Sequence, residues 1–399
     1  MMKIGIYGGT FDPPHLGHME AACAAMGHLN LDHLLLIPSQ IPPHKFLPRE
    51  TADGSARMEM AALMADGIGP RAEVSPLEFL RSGPSYTVDT VRALREQYPD
   101  GDFYLLMGTD MFLSFTEWKD AANIAKEVTL APFSREESGS HELFALQREK
   151  LSGELGARVE IIPLPKIYPI SSTKIRHLLG NKDTVEEGGS HLWAAVYGYV
   201  LIHGLYGVEV DLKNLSNAQL RAVVCSMLKA KRIPHVQGTE ETAVSLARHW
   251  GVDVQKARRA AILHDCTKHW SLEEHLALCE RYQIPLTELE RGSGKLLHAK
   301  TAAVLAEHRF GEDPEVCAAI ECHTTGKPNM TTLDKVLYMA DYVEPTRSFP
   351  GVEELRRLSW DNLDQALCVG IETTIGELSE KNAPIHENTQ MTLAQLKGT

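Results

Sequence analysis

No apolar run among these 399 residues approaches the roughly 18 that a membrane-crossing helix requires, so no membrane partner is expected. Basic residues are short as well, 40 against 53 acidic ones, for a net charge of −13. A general nucleic-acid binder carries a basic face, and that class is set aside. Small anionic ligands remain possible, since lysines, arginines or metals reverse the field locally inside a cleft. The seven cysteines (Cys23, Cys225, Cys266, Cys279, Cys317, Cys322 and Cys368) are odd in number and form no CxxC pair. Buried reduced thiols in a cytoplasmic protein are the expectation. Lys3 is followed at once by a glycine turn rather than an apolar leader, so no secretory signal is expected. There is no internal repeat and no low-complexity segment. What remains is ordinary globular composition, 43% hydrophobic and 23% charged, in a chain too long for one core; two domains are expected.

The first half alternates two kinds of pattern. Strands are predicted at Lys3–Tyr7, Leu34–Pro38, Phe103–Gly108, Val128–Pro132 and Val159–Pro163, with helices near His18–Met26, Ser55–Asp66, Thr87–Gln97 and Leu143–Leu151. Such alternation predicts an α/β domain with a doubly wound parallel sheet, Rossmann-like, whose ligands sit at the carboxyl ends of the strands. After a polar, glycine-bearing stretch at Asn181–Ser190 a helix is predicted over His191–His203, and the boundary falls near Gly207–Leu215. Beyond it no strand series is visible. Helical segments follow one another from Asn217 on, the last and longest at Leu355–Glu380, predicting an all-α second domain.

The most specific stretch is the first. Strand residues Lys3–Tyr7 run into Gly8-Gly9-Thr10-Phe11-Asp12-Pro13-Pro14-His15-Leu16-Gly17-His18. Glycines let main-chain N–H groups approach phosphates, and a helix start favours anions. Two imidazoles three residues apart at that start can hydrogen-bond a triphosphate and stabilise a leaving pyrophosphate. The run resembles the GxFxPxHxGH signature of nucleotidylyltransferases, and in its GGTFDPPHxGH form the bacterial nicotinate-nucleotide adenylyltransferase family. A second element of that family, ISSTxIR, is matched by Ile170–Arg176, where hydroxyls at a helix start precede a guanidinium.

The resemblance covers residues 1–207. It implies ATP binding by Gly8, Gly9, Thr10, Phe11, His15, His18, Asp110, Ser171, Ser172, Thr173 and Arg176. It also implies nicotinate-nucleotide binding by His44 and Lys45 of the Pro42–Lys45 loop, by Thr87 and by Trp118, whose face suits stacking. The chemistry asks for no nucleophilic side chain, because the acceptor's own phosphate attacks ATP in line. Charge from His15, His18, Lys45 and Arg176, with Mg2+ held mainly by substrate oxygens, is expected to drive it. The family often has serine where Thr109 stands.

The second half carries a different constellation. His264-Asp265 ends an apolar helical run and is accompanied by His235, His298, His323 and Asp341, each at or near an apolar stretch. Imidazole and carboxylate together suit iron, manganese, zinc or a similar divalent ion, and two such ions can clamp a phosphate. The order H…HD…H…H…D resembles the HD-domain metal-dependent phosphohydrolases. More narrowly HDxxK, HTTG and Tyr338–Arg347 are similar to their YqeK-type branch. That resemblance, over residues 215–399, implies symmetrical hydrolysis of diadenosine tetraphosphate to two ADP, iron as the usual metal of a dinuclear site, catalytic Asp265 and Lys268, and polyphosphate binding by Lys268 and Arg347. His235 stands in Ile-Pro-His-Val, where the family commonly has Tyr-Glu-His-Thr.

Together these readings predict a bifunctional cytoplasmic enzyme acting on ATP, nicotinate mononucleotide and dinucleoside polyphosphates, with a homo-oligomer left open. The alternative is an adenylyltransferase with another acceptor, nicotinamide mononucleotide or phosphopantetheine, carrying an HD domain that senses nucleotides or oligomerises.

Overall fold

A computed structural model describes residues 1–42, 50–134, 140–166 and 168–398. His44 and Lys45 lie outside the described residues. By its internal contacts the chain divides into two compact units, Met1–Glu209 and Val210–Thr399.

The first unit is a parallel sheet flanked by helices. Its strands are β1 (Lys3–Gly9), β2 (His33–Pro38), β3 (Ala72–Val74), β4 (Asp102–Met107), β5 (Val128–Ser134), β6 (Arg158–Val159) and β7 (Ile162–Pro163). They lie in the order β3-β2-β1-β4-β5-β6, with β7 also on β5, and every pairing is parallel. The helices are α1 (Leu16–His28), α2 (Gly54–Ile68), α3 (Thr87–Gln97), α4 (Thr109–Leu113), α5 (Ala121–Glu127), α6 (Ser140–Leu155), α7 (Ser172–Leu179), α8 (Val185–Ser190) and α9 (Ala194–His203). Near-continuous apolar strands such as His-Leu-Leu-Leu-Ile-Pro in β2 are what a sheet covered on both faces demands. Ile4, Ile6, Leu35, Phe103, Leu105 and Leu130 form the centre of that core.

The strand order reverses between β1 and β4, and in open sheets the ligand crevice lies at such a switch point. Gly8 and Gly9 end β1 there, facing the Met107–Gly108 end of β4. Two expectations need correction. The sheet has an extra edge strand, β3, whose three residues are too short to show any periodicity. The polar Asn181–Ser190 stretch contains the short helix α8.

The second unit is all helical among the described residues. It comprises α10 (Asn217–Met227), α11 (Ile233–Trp250), α12 (Val254–Leu263), α13 (Leu272–Arg281), α14 (Glu288–Arg291), α15 (Gly294–His308), α16 (Pro314–Cys322), α17 (Thr332–Val343), α18 (Val352–Asp361), α19 (Leu363–Glu380) and α20 (Glu387–Gly398). Helix α11 packs on α12 and α17, and α16 on α15 and α17. The apolar pattern over Leu355–Glu380 predicts one helix, but the structure breaks it at Asn362, which adopts φ −155° and caps α19 by accepting from the Gln365 N–H. No described helix is long and apolar enough to cross a membrane.

Two candidate sites for phosphate chemistry

In the first unit His15 is the N-cap of α1, and its Nδ1 accepts the Gly17 N–H at 3.1 Å. His18 Nδ1 in turn accepts the His15 N–H at 3.1 Å, so the two rings close a capping box made of imidazoles. A Cβ on Gly17 would lie 3.0 Å from the His15 ring, so a larger residue there would press on the capping imidazole. With Nδ1 accepting, each neutral ring carries its proton on Nε2, a donor suited to phosphate oxygen. Burial, aided by His191, lowers the His15 pKa to about 4, so this ring is neutral at physiological pH.

The second motif closes on the first. Ser172 Oγ donates to the Pro13 carbonyl at 3.0 Å, and Arg176 Nη1 to the Asp12 carbonyl at 2.6 Å. Arg176 is buried, paired with the Asp12 carboxylate at 3.4 Å, and its Nη2 reaches Thr173 Oγ1 at 3.4 Å. Ser171 caps α7 by accepting the Lys174 N–H at 3.3 Å. Arg176 thus binds the loop after β1 directly. Phe11 is also turned inward, 1% exposed and edge-on to Tyr7 and His18. Its ring shapes the loop, so any contact of Phe11 with ATP is left to its main chain.

A cavity of about 510 Å³ opens beside the switch point, lined by Gly8, Gly9, Thr10, Thr87, Trp118 and Lys119 among others. Trp118 packs against Phe115 at 5.3 Å and keeps part of its face exposed. Helix α3 begins at Thr87 with no side-chain cap from Tyr86, and both residues line the cavity. Asp110 is exposed in the first turn of α4, beyond β4.

Two cations here carry no motif and were missed by sequence reasoning. Lys119 Nζ lies 3.9 Å from the Tyr86 ring centroid, on the cavity wall. Arg57, 3% exposed, donates to the carbonyls of Thr10 at 3.1 Å and Ser39 at 2.6 Å. It fastens the loop after β1 to the loop after β2. A single arginine inside the helical pattern of α2 gave no signal of this.

In the second unit the structure brings all six predicted side chains together. The ligand atoms of His235, His264 and Asp341 lie within 4.8 Å of one another, as do those of His264, Asp265 and His323. His298 Nε2 is 3.1 Å from His323 Nε2 and 3.3 Å from Asp265 Oδ1. His235, despite its unusual flanks, stands 3.0 Å from Asp341 Oδ1 and 3.3 Å from His264 Nε2. Helix ends set the directions: His264 and His323 are the C-caps of α12 and α16, while His235 lies in the first turn of α11.

The orientation of the rings is uniform. Nδ1 of His264, His298 and His323 each donates to the carbonyl three residues back, at 2.6, 2.7 and 2.7 Å. His235 Nδ1 donates instead to Glu344 Oε1 at 3.0 Å. All four therefore present Nε2 inward.

Burial lowers the pKa of His298 and His323 to about 4, and lowers that of His264 as well. Burial alone would raise Asp265 and Asp341, but the surrounding imidazoles with Lys268 and Arg347 hold both well below the usual carboxylate range. Neutral imidazoles around ionised carboxylates are the protonation states a divalent cation needs. Asp265 Oδ1, fully buried, makes no hydrogen bond and has the Lys268 ammonium as an ion-pair partner at 3.4 Å. A buried acceptor without a hydrogen bond costs about 1–3 kcal/mol, and a divalent cation would satisfy it. The donor set fits a dinuclear N/O site.

Cations rim this cluster. Lys268 Nζ is 2.9 Å from His298 Nε2 and 3.4 Å from Asp265 Oδ1, and Arg347 Nη2 is 2.7 Å from Asp341 Oδ1. Sequence reasoning missed Arg232, which ends the turn before α11 and donates from Nε to Asp265 Oδ2 at 2.6 Å. It also missed Glu344, 0% exposed, although Glu344 lies inside the Tyr338–Arg347 run.

Comparison with known proteins follows the same division. Residues 6–178 match the cytidylyltransferase-like family model, and residues 232–346 the HD domain model. A probable nicotinate-nucleotide adenylyltransferase of Listeria welshimeri is 38% identical over 205 residues, 51% of this chain and 97% of that one. A symmetrical bis(5'-nucleosyl)-tetraphosphatase of Bacillus subtilis is 38% identical over 179 residues, 45% of this chain and 96% of that one. Among solved structures, a predicted HD superfamily hydrolase involved in NAD metabolism from Clostridium acetobutylicum aligns at 36% identity and TM-score 0.45, covering 46% of this chain and 98% of that one.

Proposed function

We take as premise that the chain belongs to two families at once, the nicotinate-nucleotide adenylyltransferases through its first half and the symmetrical bis(5'-nucleosyl)-tetraphosphatases of the HD class through its second, and we propose that it carries both activities. The observation that supports this reading is that each motif set converges within its own unit: Ser172 and Arg176 on Pro13 and Asp12, and six ligand-type side chains in one buried cluster.

In the first reaction a phosphate oxygen of nicotinate mononucleotide attacks the α-phosphorus of ATP, supplied as its magnesium complex. The P–O bond to pyrophosphate breaks, leaving deamido-NAD. His15 and His18 donate from Nε2 to the phosphate chain, while Lys45 and Arg176 add charge to the site. Arg176 also holds the Asp12 carbonyl, so it shapes the loop it serves. Trp118 stacks the pyridine ring, and the amides at Thr87 receive its carboxylate.

In the second reaction diadenosine tetraphosphate and water give two ADP. His235, His264, Asp265, His298, His323 and Asp341 would hold two divalent ions, iron by family resemblance, which supply Lewis acidity and an activated water when bound. Lys268, Arg347 and Arg232 carry the charge that binds the phosphates. Both activities would suit the cytoplasm, where ATP is abundant and thiols stay reduced.

The test is a product assay on the purified full chain. With ATP and equal concentrations of nicotinate and nicotinamide mononucleotides, deamido-NAD and pyrophosphate are expected to dominate. With diadenosine tetraphosphate, ADP is the expected nucleotide product. Comparable use of nicotinamide mononucleotide overturns the acceptor assignment, and ATP plus AMP overturns symmetrical cleavage.

A further inference from the structure

Three of the four clustered histidines are oriented by main-chain carbonyls, each three residues back in its own helix. His235 alone is oriented by a carboxylate. That carboxylate is built in with care. Glu344 Oε1 also accepts from Thr346 Oγ1 at 2.5 Å, and Oε2 accepts the Thr346 N–H at 2.6 Å. Its backbone is pinned by Arg356, whose Nη2 donates to the Glu344 carbonyl at 2.9 Å. One turn beyond His235, a Cβ on Gly238 would lie 2.6 Å from Glu344 Oε2, so glycine at that position is what admits the carboxylate.

An N–H donated to a carboxylate leaves the opposite nitrogen a stronger electron donor than one donated to a neutral amide carbonyl. His235 shares its group of ligand atoms with His264 and Asp341, whereas His323 shares one with His264 and Asp265. The two halves of the cluster are therefore chemically unequal, and among the histidines the inequality comes from Glu344.

We propose that Glu344 is a positioning residue that makes the His235–His264–Asp341 half the tighter of two divalent-cation sites, so that this half fills first. The proposal rests on the reading of the cluster as a two-cation site. The premise and the proposal separate in one measurement.

Full-length protein stripped with a chelator is titrated with Mn2+ and the bound ions are counted by calorimetry and by electron paramagnetic resonance. Two ions binding in two resolved steps are expected for the wild type. Glu344→Gln, which keeps the shape and a hydrogen-bond acceptor but removes the charge, is expected to weaken the tight step about 10- to 100-fold and leave the other within threefold. His323→Ala is expected to remove the weaker step. Gly238→Ala, which displaces the carboxylate without removing it, is expected to repeat the Glu344→Gln pattern and serves if that variant does not fold. Fewer than two ions on the wild type refutes the premise. Two ions with one indistinguishable affinity, an unchanged tight step in both variants, or equal weakening of both steps refutes the role of Glu344.

Discussion

In Met1–Glu209 the groups placed for phosphate chemistry sit on loops and helix starts at the carboxyl ends of the central strands; in Val210–Thr399 they project from helices into an interior. The first arrangement relies on a helix start, a capping box and imidazoles, parts that exist in many proteins and become a site only by their placement. The second gathers six ionisable side chains, five of them at most 5% exposed. Burying such groups is costly unless they are paired or hold a cation. The contrast teaches that a site can be assembled around a ligand that brings its own counter-ion, or around one the protein must supply from within. The first kind should tolerate single losses better than the second.

Substitutions can break or sharpen that contrast. The largest effect is expected for Asp265→Ala, whose Oδ2 faces His235 and His264 and whose Oδ1 faces His298 and His323: tetraphosphate hydrolysis should fall about a thousandfold or more, roughly 4 kcal/mol of barrier, with bound metal lost and adenylyl transfer untouched. Metal analysis beside both assays checks it, and retained metal would sink the role of Asp265 as a ligand. His18→Ala should lower adenylyl transfer about a hundredfold, with hydrolysis unchanged. A loss below tenfold, about 1.4 kcal/mol, would remove His18 from the phosphate site.

A smaller effect is expected at Trp118. Its replacement by alanine should raise KM for the mononucleotide about tenfold, in keeping with about 1–3 kcal/mol for stacking, while kcat moves less. Steady-state kinetics with the acceptor varied would read this, and an unchanged KM would return Trp118 to a packing role.

The smallest concerns His15. Its folded pKa of about 4 lies below the ordinary 6.5. Between those values the unfolded chain binds a proton that the folded one refuses, so stability is full above pH 6.5 and declines as pH falls toward 4. The slope is at most about 1.4 kcal/mol per pH unit for one group. His15→Gln should flatten the decline in urea melts of the full chain taken from pH 7 to 4.5, and an unaltered slope would mean the ring titrates normally.

Much of this was legible beforehand because the motifs combine rare residue types in fixed order. The fold class followed from strand and helix patterns, and the clustering of His235, His264, Asp265, His298, His323 and Asp341 from their apolar settings. What escaped was of two kinds. Ala72–Val74 and the break at Asn362 depend on pairing and capping that a hydrophobic pattern does not encode. Arg57, Arg232 and Glu344 act through residues far away in sequence; no motif marks the two arginines, and the run around Glu344 does not show that it turns to His235. The inward turn of the Phe11 ring belongs here too, since only the folded loop shows it.

The Asp12 carboxylate accepts from the Ala52 N–H at 3.0 Å and the Tyr206 hydroxyl at 2.9 Å, and its carbonyl accepts from Arg176. The partners lie 40, 194 and 164 residues away. Ala52 can fasten the loop after β1 early, but Arg176 and Tyr206 reach it only from the far end of the first unit. The candidate site of the first unit therefore depends on residues up to 206, and a chain cut before Arg176 would leave the Asp12 carbonyl without its guanidinium.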